Sequence, residues 1–158
     1  MKLKIARLRD NAVIPVRATE GSAGMDLSAA VDEETVIRAG ETVRIPTGIA
    51  AEITQSDYAL FIYARSGIAS KFSVSPANCV GVVDSDYRGE IIVALHNYSD
   101  KDFTVTPGMR IAQMILAPVC LPDIEVYDGA ESLSATDRGA GGFGSTGTSG
   151  ESIKELTK

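Results

Sequence analysis

The chain has 158 residues, a formal net charge of −6 and 44% hydrophobic residues. That length suits a single packed domain burying roughly 70% of the surface its unfolded chain exposes. With no tryptophan, its core falls to Val, Ile, Leu and Ala. The acidic balance argues against a general nucleic-acid or membrane surface, because both require positive patches. An anionic small ligand held by a few local arginines is still compatible with it.

From the start, Met1 to Arg9 lacks the apolar run of a secretory signal. Nowhere do 18 apolar residues follow one another, so no membrane-spanning helix is expected, and a cytoplasmic protein is. Short apolar runs occur at Thr42–Pro46, Tyr58–Tyr63, Glu90–Leu95, Phe103–Thr106 and Arg110–Leu116. Several alternate with polar residues, and most are rich in β-branched types. Turn-forming residues separate them at Arg38–Glu41, Asn97–Asp100 and Thr106–Gly108. This pattern predicts an all-β sandwich or barrel of short strands. Six prolines, from Pro15 to Pro122, leave little room for long helices. One short helix is predicted over Ser66–Phe72, with Ser66 as its N-cap. Cys79 and Cys120 read as free thiols of a reducing compartment. A single histidine, His96, and no Cys-x-x-Cys spacing speak against zinc.

After Tyr127 the composition turns polar and glycine-rich, which divides the chain into a β domain at 1–127 and a flexible arm at 128–158. Between Arg138 and Gly147 lie five glycines, a lone Phe143, and the hydroxyls of Ser145 and Thr146. No lysine follows the glycines and no strand precedes them, so neither a P-loop nor a dinucleotide fingerprint fits. The composition still suits an anion. Glycines free backbone N–H groups to curl around phosphate oxygens, Arg138 can pair with phosphate, and Phe143 can stack on a base for about 1–3 kcal/mol. Such an arm could order as a lid over a nucleotide polyphosphate.

Five motifs run in order along the chain: AGMDL at 23–27, ARSGIA at 64–69, GVVDSDYRG at 81–89, GMRIAQM at 108–114 and RGAGGFGSTG at 138–147. Together they resemble the five motifs of the trimeric dUTP pyrophosphatases, the dUTPase family. The one departure is Ala64, where the family's second motif usually begins with proline. The resemblance implies an antiparallel jelly-roll-like fold, a homotrimer with active sites at subunit junctions, and hydrolysis of dUTP to dUMP and pyrophosphate with Mg2+. This activity would limit uracil in DNA and supply dUMP for dTMP synthesis. No nucleic-acid or membrane partner is implied.

Residue by residue, the resemblance makes Asp84 the catalytic base, activating water for in-line attack on the α-phosphorus. Tyr87 is implied to lie under the deoxyribose and exclude a 2′-hydroxyl. Asn78 and the backbone of Gly81 and Ile92 would read the uracil edge. Arg65, Ser66, Gly67 and Gln113 would hold the phosphates. Arg138 would reach the γ-phosphate, with Phe143, Gly144, Ser145 and Thr146 completing the lid. Asp26 would support the magnesium through water. Arg110 is implied only to brace a subunit contact. The rival readings are a dCTP deaminase-like enzyme and a nucleotide-binding regulator. The deaminase resembles this family in the hairpin but has a catalytic glutamate a few residues beyond it, where Ile91 to Ala94 here are all apolar.

Overall fold

The structure is a computed structural model that describes residues 2–142. The chain divides into two units, Met1–Leu121 and Pro122–Lys158. Eleven strands occur among the described residues, all in the first unit. They are β1 (Leu3–Arg7), β2 (Met25–Ser28), β3 (Thr35–Ile37), β4 (Thr42–Pro46), β5 (Ile49–Ile53), β6 (Tyr58–Ala64), β7 (Val74–Pro76), β8 (Gly81–Val83), β9 (Ile92–Asn97), β10 (Phe103–Val105) and β11 (Arg110–Pro118). A single α-helix occurs among the described residues, α1 (Ser66–Phe72), between β6 and β7.

Every strand pairing is antiparallel. The largest sheet runs β2-β11-β6-β8, and a second runs β4-β9-β7. Two-stranded ribbons β1-β5 and β10-β3 complete the set. Alternation along the strands sends Leu27, Ile45, Leu60, Leu95 and Met114 into one core, each almost wholly buried. The predicted all-β class is therefore correct. Within the core, Asn97 is buried and satisfied: its amide donates to the carbonyls of Ile37 and Lys101, and its Oδ1 accepts from Ser99.

Three local features position the site residues. First, α1 covers the predicted range, but its N-cap is Arg65, not Ser66. Arg65 has extended backbone, and its carbonyl accepts from the N–H groups of Ile68 and Ala69. The helix thus starts directly off the end of β6, with Ser66 and Gly67 in its first turn. Their N–H groups have no intrahelical acceptor. Second, β11 carries a bulge between Arg110 and Ala112. The inserted residue, Ile111, breaks the alternation, so Ile111 and Ala112 are both buried. The bulge turns Arg110 outward, onto the face of Gln113 and Asp26. Third, the run expected from Glu90 begins as a strand only at Ile92. Glu90 and Ile91 bond instead to the turn between β4 and β5.

In the second unit, Ile124 and Val126 are highly exposed, and a 3-10 turn spans Ala130–Ser132. Both cysteines are exposed and free. Among the described residues, no helix is long and apolar enough to cross a membrane.

Candidate active site

The predicted site residues of the first unit fall into two cavities. The first, of about 260 Å³, is lined by Asn78, Gly81, Asp84, Tyr87, Ile92 and their neighbours. Its walls are two strand edges. β8 pairs with β6 along one side and has no second strand partner. β9 pairs with β7 only from Leu95 onward, which leaves Ile92 and Val93 without a partner on that side. β8 and β9 therefore belong to different sheets, and the slot between them is bordered by unpaired main chain. An unpaired strand edge presents a row of N–H and C=O groups to whatever enters.

Close backbone approach fixes two residues in this slot. A Cβ on Gly81 would lie 3.1 Å from Ile62 Cβ and 3.5 Å from Asn78 Nδ2, so the Asn78 amide sits against the Gly81 backbone. A Cβ on Gly89 would lie 2.3 Å from the Tyr87 hydroxyl, so the phenol lies directly over Gly89. The Tyr87 hydroxyl donates to the Glu90 carbonyl at 3.1 Å, and the Tyr87 N–H donates to the Asp84 carbonyl at 3.2 Å. Asp84 is exposed at the end of β8, and among the described residues nothing hydrogen-bonds its carboxylate. The Glu90 side chain is committed elsewhere: it accepts from Arg9 Nε at 2.9 Å, Arg9 Nη2 at 3.1 Å and the Gly48 N–H at 2.8 Å. The Arg9 hydrogen bond holds its carboxyl below the usual range, with help from the Gly48 N–H and against its partial burial.

The second cavity, of about 590 Å³, gathers Gly24, Asp26, Arg65, Ser66, Gly67, Arg110 and Gln113. Three motifs far apart in sequence meet here because β2, β11 and β6 are neighbours in one sheet. Gln113 stands opposite Asp26 on one side and Tyr63 on the other. Asp26 accepts from Arg65 Nε at 2.7 Å and from Arg110 Nη1 at 3.0 Å. Gln113 donates its amide to the Ala64 carbonyl at 2.9 Å. A proline at 64 would offer that same carbonyl, so the departure at Ala64 keeps the anchor of Gln113. Gly24 leaves room for the same packing: a Cβ there would meet Gln113 Oε1 at 2.5 Å and turn the side-chain end aside. Arg110, which the resemblance assigns to a subunit contact, lines this cavity and shares the Asp26 carboxylate.

The two cavities have no lining residue in common. Arg138 is exposed in the second unit, where its Nε donates to the Gly141 carbonyl at 3.0 Å. Phe143, Gly144, Ser145 and Thr146 lie outside the described residues. Among the described residues, no three His, Cys, Asp or Glu side chains cluster to hold a metal. Sequence reasoning missed Gly89 and the Arg9–Gly48 hold on Glu90. Only the adjacency of Gly89 to Tyr87 could have hinted at the first.

The antiparallel β scaffold thus presents an unpaired strand-edge slot and a separate arginine-lined cavity. The dUTPase family model matches residues 10–147, and the chain belongs to the dUTPase family. It is similar to the deoxyuridine 5′-triphosphate nucleotidohydrolase of Desulfitobacterium hafniense strain Y51, with 48% identity over 151 residues covering 94% of this chain and 98% of that one. The enzyme of that name from Neisseria meningitidis serogroup B is 45% identical over 148 residues, covering 94% and 95%. Among solved structures, the Staphylococcus bacteriophage 80alpha dUTPase with dUPNHPP superposes with a TM-score of 0.81 at 26% identity, covering 93% of this chain and 99% of that one. The fold is accordingly the jelly-roll-like one expected.

Proposed function

We propose that this chain hydrolyses dUTP to dUMP and pyrophosphate, as a dUTP diphosphatase, at sites assembled between copies of itself in a cytoplasmic homotrimer. Family membership carries the reaction. One observation supports the shared site: the slot has no arginine or lysine in its lining, whereas the arginines line a separate cavity. A triphosphate beside the Asp84 carboxylate, with no cation in the lining to offset the charge, would be repelled. The slot is also smaller than the roughly 300–1,000 Å³ of ordinary ligand pockets. A second copy presenting its Arg65 cavity to the slot would meet both needs.

In this reading the uracil enters as a further strand, paired with the free main chain of Gly81 and Ile92 and with the Asn78 amide. Cytosine presents an amino group where uracil presents a carbonyl, leaving a buried donor unmatched. The sugar rests on Tyr87. The phosphates lie against Arg65, Ser66, Gly67 and Gln113, and the arm brings Arg138 and the Phe143–Thr146 stretch as a lid. The Asp84 carboxylate takes the proton of a water that attacks the α-phosphorus in line. The phosphorus–oxygen bond to the leaving pyrophosphate then breaks. General-base help of this kind contributes about 10²–10⁴-fold.

Both oxygens of Asp26 accept from arginines, so a magnesium ion would be held mainly by the phosphates and its own waters, with Asp26 no nearer than through one of those waters. When bound, that ion would offset charge on the leaving pyrophosphate. A deaminase reading lacks its carboxylate: Glu90 is locked to Arg9 and Gly48, and the residues from Ile91 to Ala94 are apolar.

Subunit mixing tests the proposal. Asp84→Asn and Arg65→Ala are expected to be nearly inactive alone with dUTP and magnesium. After unfolding and refolding together they should regain pyrophosphate release, because some junctions combine an intact Asp84 with an intact Arg65. No recovery in mixtures that sediment as trimers would refute the shared site. Wild type that consumes dCTP with loss of ultraviolet absorbance would favour the deaminase.

A further inference from the structure

We propose that Glu90 is a positioning residue for sugar discrimination, setting the place of Tyr87 through a clamp made by Arg9 and the β4–β5 turn. This rests on the reading of Tyr87 as the platform for the deoxyribose. Tyr87 is 45% exposed, so side-chain packing alone does not fix its ring. What fixes it is a pair of tethers and a floor. The Tyr87 N–H is tied to the Asp84 carbonyl, its hydroxyl is tied to the Glu90 carbonyl, and the bare Gly89 lies beneath the ring. The outer tether is only as firm as the Glu90 backbone.

That backbone is fastened from several directions. The Arg9 guanidinium grips both oxygens of the Glu90 carboxylate, and the Gly48 N–H donates to Oε1. At the next residue, the Ile91 N–H donates to the Ile49 carbonyl at 2.9 Å, and the Thr47 hydroxyl donates to the Ile91 carbonyl at 2.6 Å. The Glu90 side chain is 17% exposed, which shields the ionic contact from solvent on its side. A small drift of the Glu90 carbonyl would release the phenol tip. The ring could then swing from the sugar and open room for a 2′-hydroxyl. Deoxyuridine nucleotides lose little by this change, while ribonucleotides gain. The predicted signature is therefore a loss of selectivity, not of turnover.

The test uses the full chain and compares kcat/KM for dUTP and UTP. Glu90→Ala is expected to lower the dUTP/UTP ratio about tenfold, the effect of one lost hydrogen-bonded anchor. Arg9→Gln should lower it about threefold and leave kcat on dUTP within about twofold, since the Gly48 contact remains. Glu90→Gln, which still accepts from Gly48, should recover most of the loss. If Glu90→Ala does not fold, Arg9→Gln decides. Tyr87→Ala separates the clamp from the reading beneath it. If it collapses the ratio while the Glu90 and Arg9 variants do not, the clamp is wrong and the Tyr87 reading survives. If Tyr87→Ala leaves the ratio intact, the Tyr87 reading fails and the clamp falls with it. Parallel loss of dUTP and UTP hydrolysis in the clamp variants would mean a merely structural role and overturn the proposal.

Discussion

Replacing Gly48 with alanine should weaken the fold by far more than the same change at Gly40, and the difference can be worked from geometry. Both glycines have left-handed backbone, φ +69° at Gly48 and +73° at Gly40. For an L-residue that conformation costs about 1–2 kcal/mol. At Gly40 nothing lies within 4 Å of the new methyl, so the cost ends there. At Gly48 the methyl would meet Ala12 Cβ at 2.6 Å, Ala30 Cβ at 2.9 Å and Arg9 Cβ at 3.2 Å. These are first side-chain carbons fixed to their own backbones, and no rotamer change moves them away. Overpacking of this kind adds about 1–3 kcal/mol. For a chain of this length each kcal/mol shifts the melting midpoint by about 2–4 °C. The expected losses are about 10 °C for Gly48→Ala and about 4 °C for Gly40→Ala, followed by circular dichroism during heating. Equal losses in the two variants would refute the crowding argument.

Asp84→Asn should keep nucleotide affinity while turnover falls about 10²–10⁴-fold; near-normal pyrophosphate release would remove Asp84 from the role of base. A chain ending at Gly129 should still sediment as a trimer but hydrolyse dUTP poorly, and full activity in that truncation would make the arm dispensable. Stability should also depend on Glu90 in acid. Its carboxyl is held below the ordinary 4.5 in the folded chain. The Arg9 contact therefore stabilises above that value and is lost as pH falls through the lowered one. Chemical denaturation from pH 6 to 3 should show a shallower decline for Glu90→Gln than for wild type, and parallel profiles would contradict the ion pair.

Much of this was legible in the sequence because it depends on short-range patterns. Short apolar runs mark β4, β6 and β10, and the short helix falls over the expected Ser66–Phe72. Four of the five motifs supply residues to the two cavities, while Asn78 and Ile92 of the slot lie outside them. What escaped depends on contacts across the chain. Arg9 and Glu90 are 81 positions apart, and nothing in either neighbourhood marks them as partners. The bulge at Ile111 is a single residue out of step inside an apolar run, invisible until β2 and β6 set the register. The N-cap was misassigned because serine is a favoured cap by composition. Here the strand end dictates the start of α1, and the Arg65 side chain is drawn to Asp26 instead.

That last detail bears on how an acidic protein handles a polyanion. Arg65 and Arg110 converge on the single carboxylate of Asp26, leaving the group with a net charge of about +1. Without Asp26 two guanidinium groups would stand close together and repel, and each long side chain would be free to turn to solvent. The carboxylate holds both in place before any ligand arrives, so less rotamer freedom is lost on binding. A triphosphate need not expel Asp26 to be held. Each guanidinium has five N–H donors, and Asp26 accepts from Arg65 Nε and Nη2 and from one nitrogen of Arg110. Arg65 Nη1 also donates to the Arg110 carbonyl at 3.4 Å, and in the proposed reading phosphate oxygens would take the donors still left. In the proposed reading, then, the overall charge of −6 would not prevent anion binding, because the local balance at β2, β6 and β11 is positive.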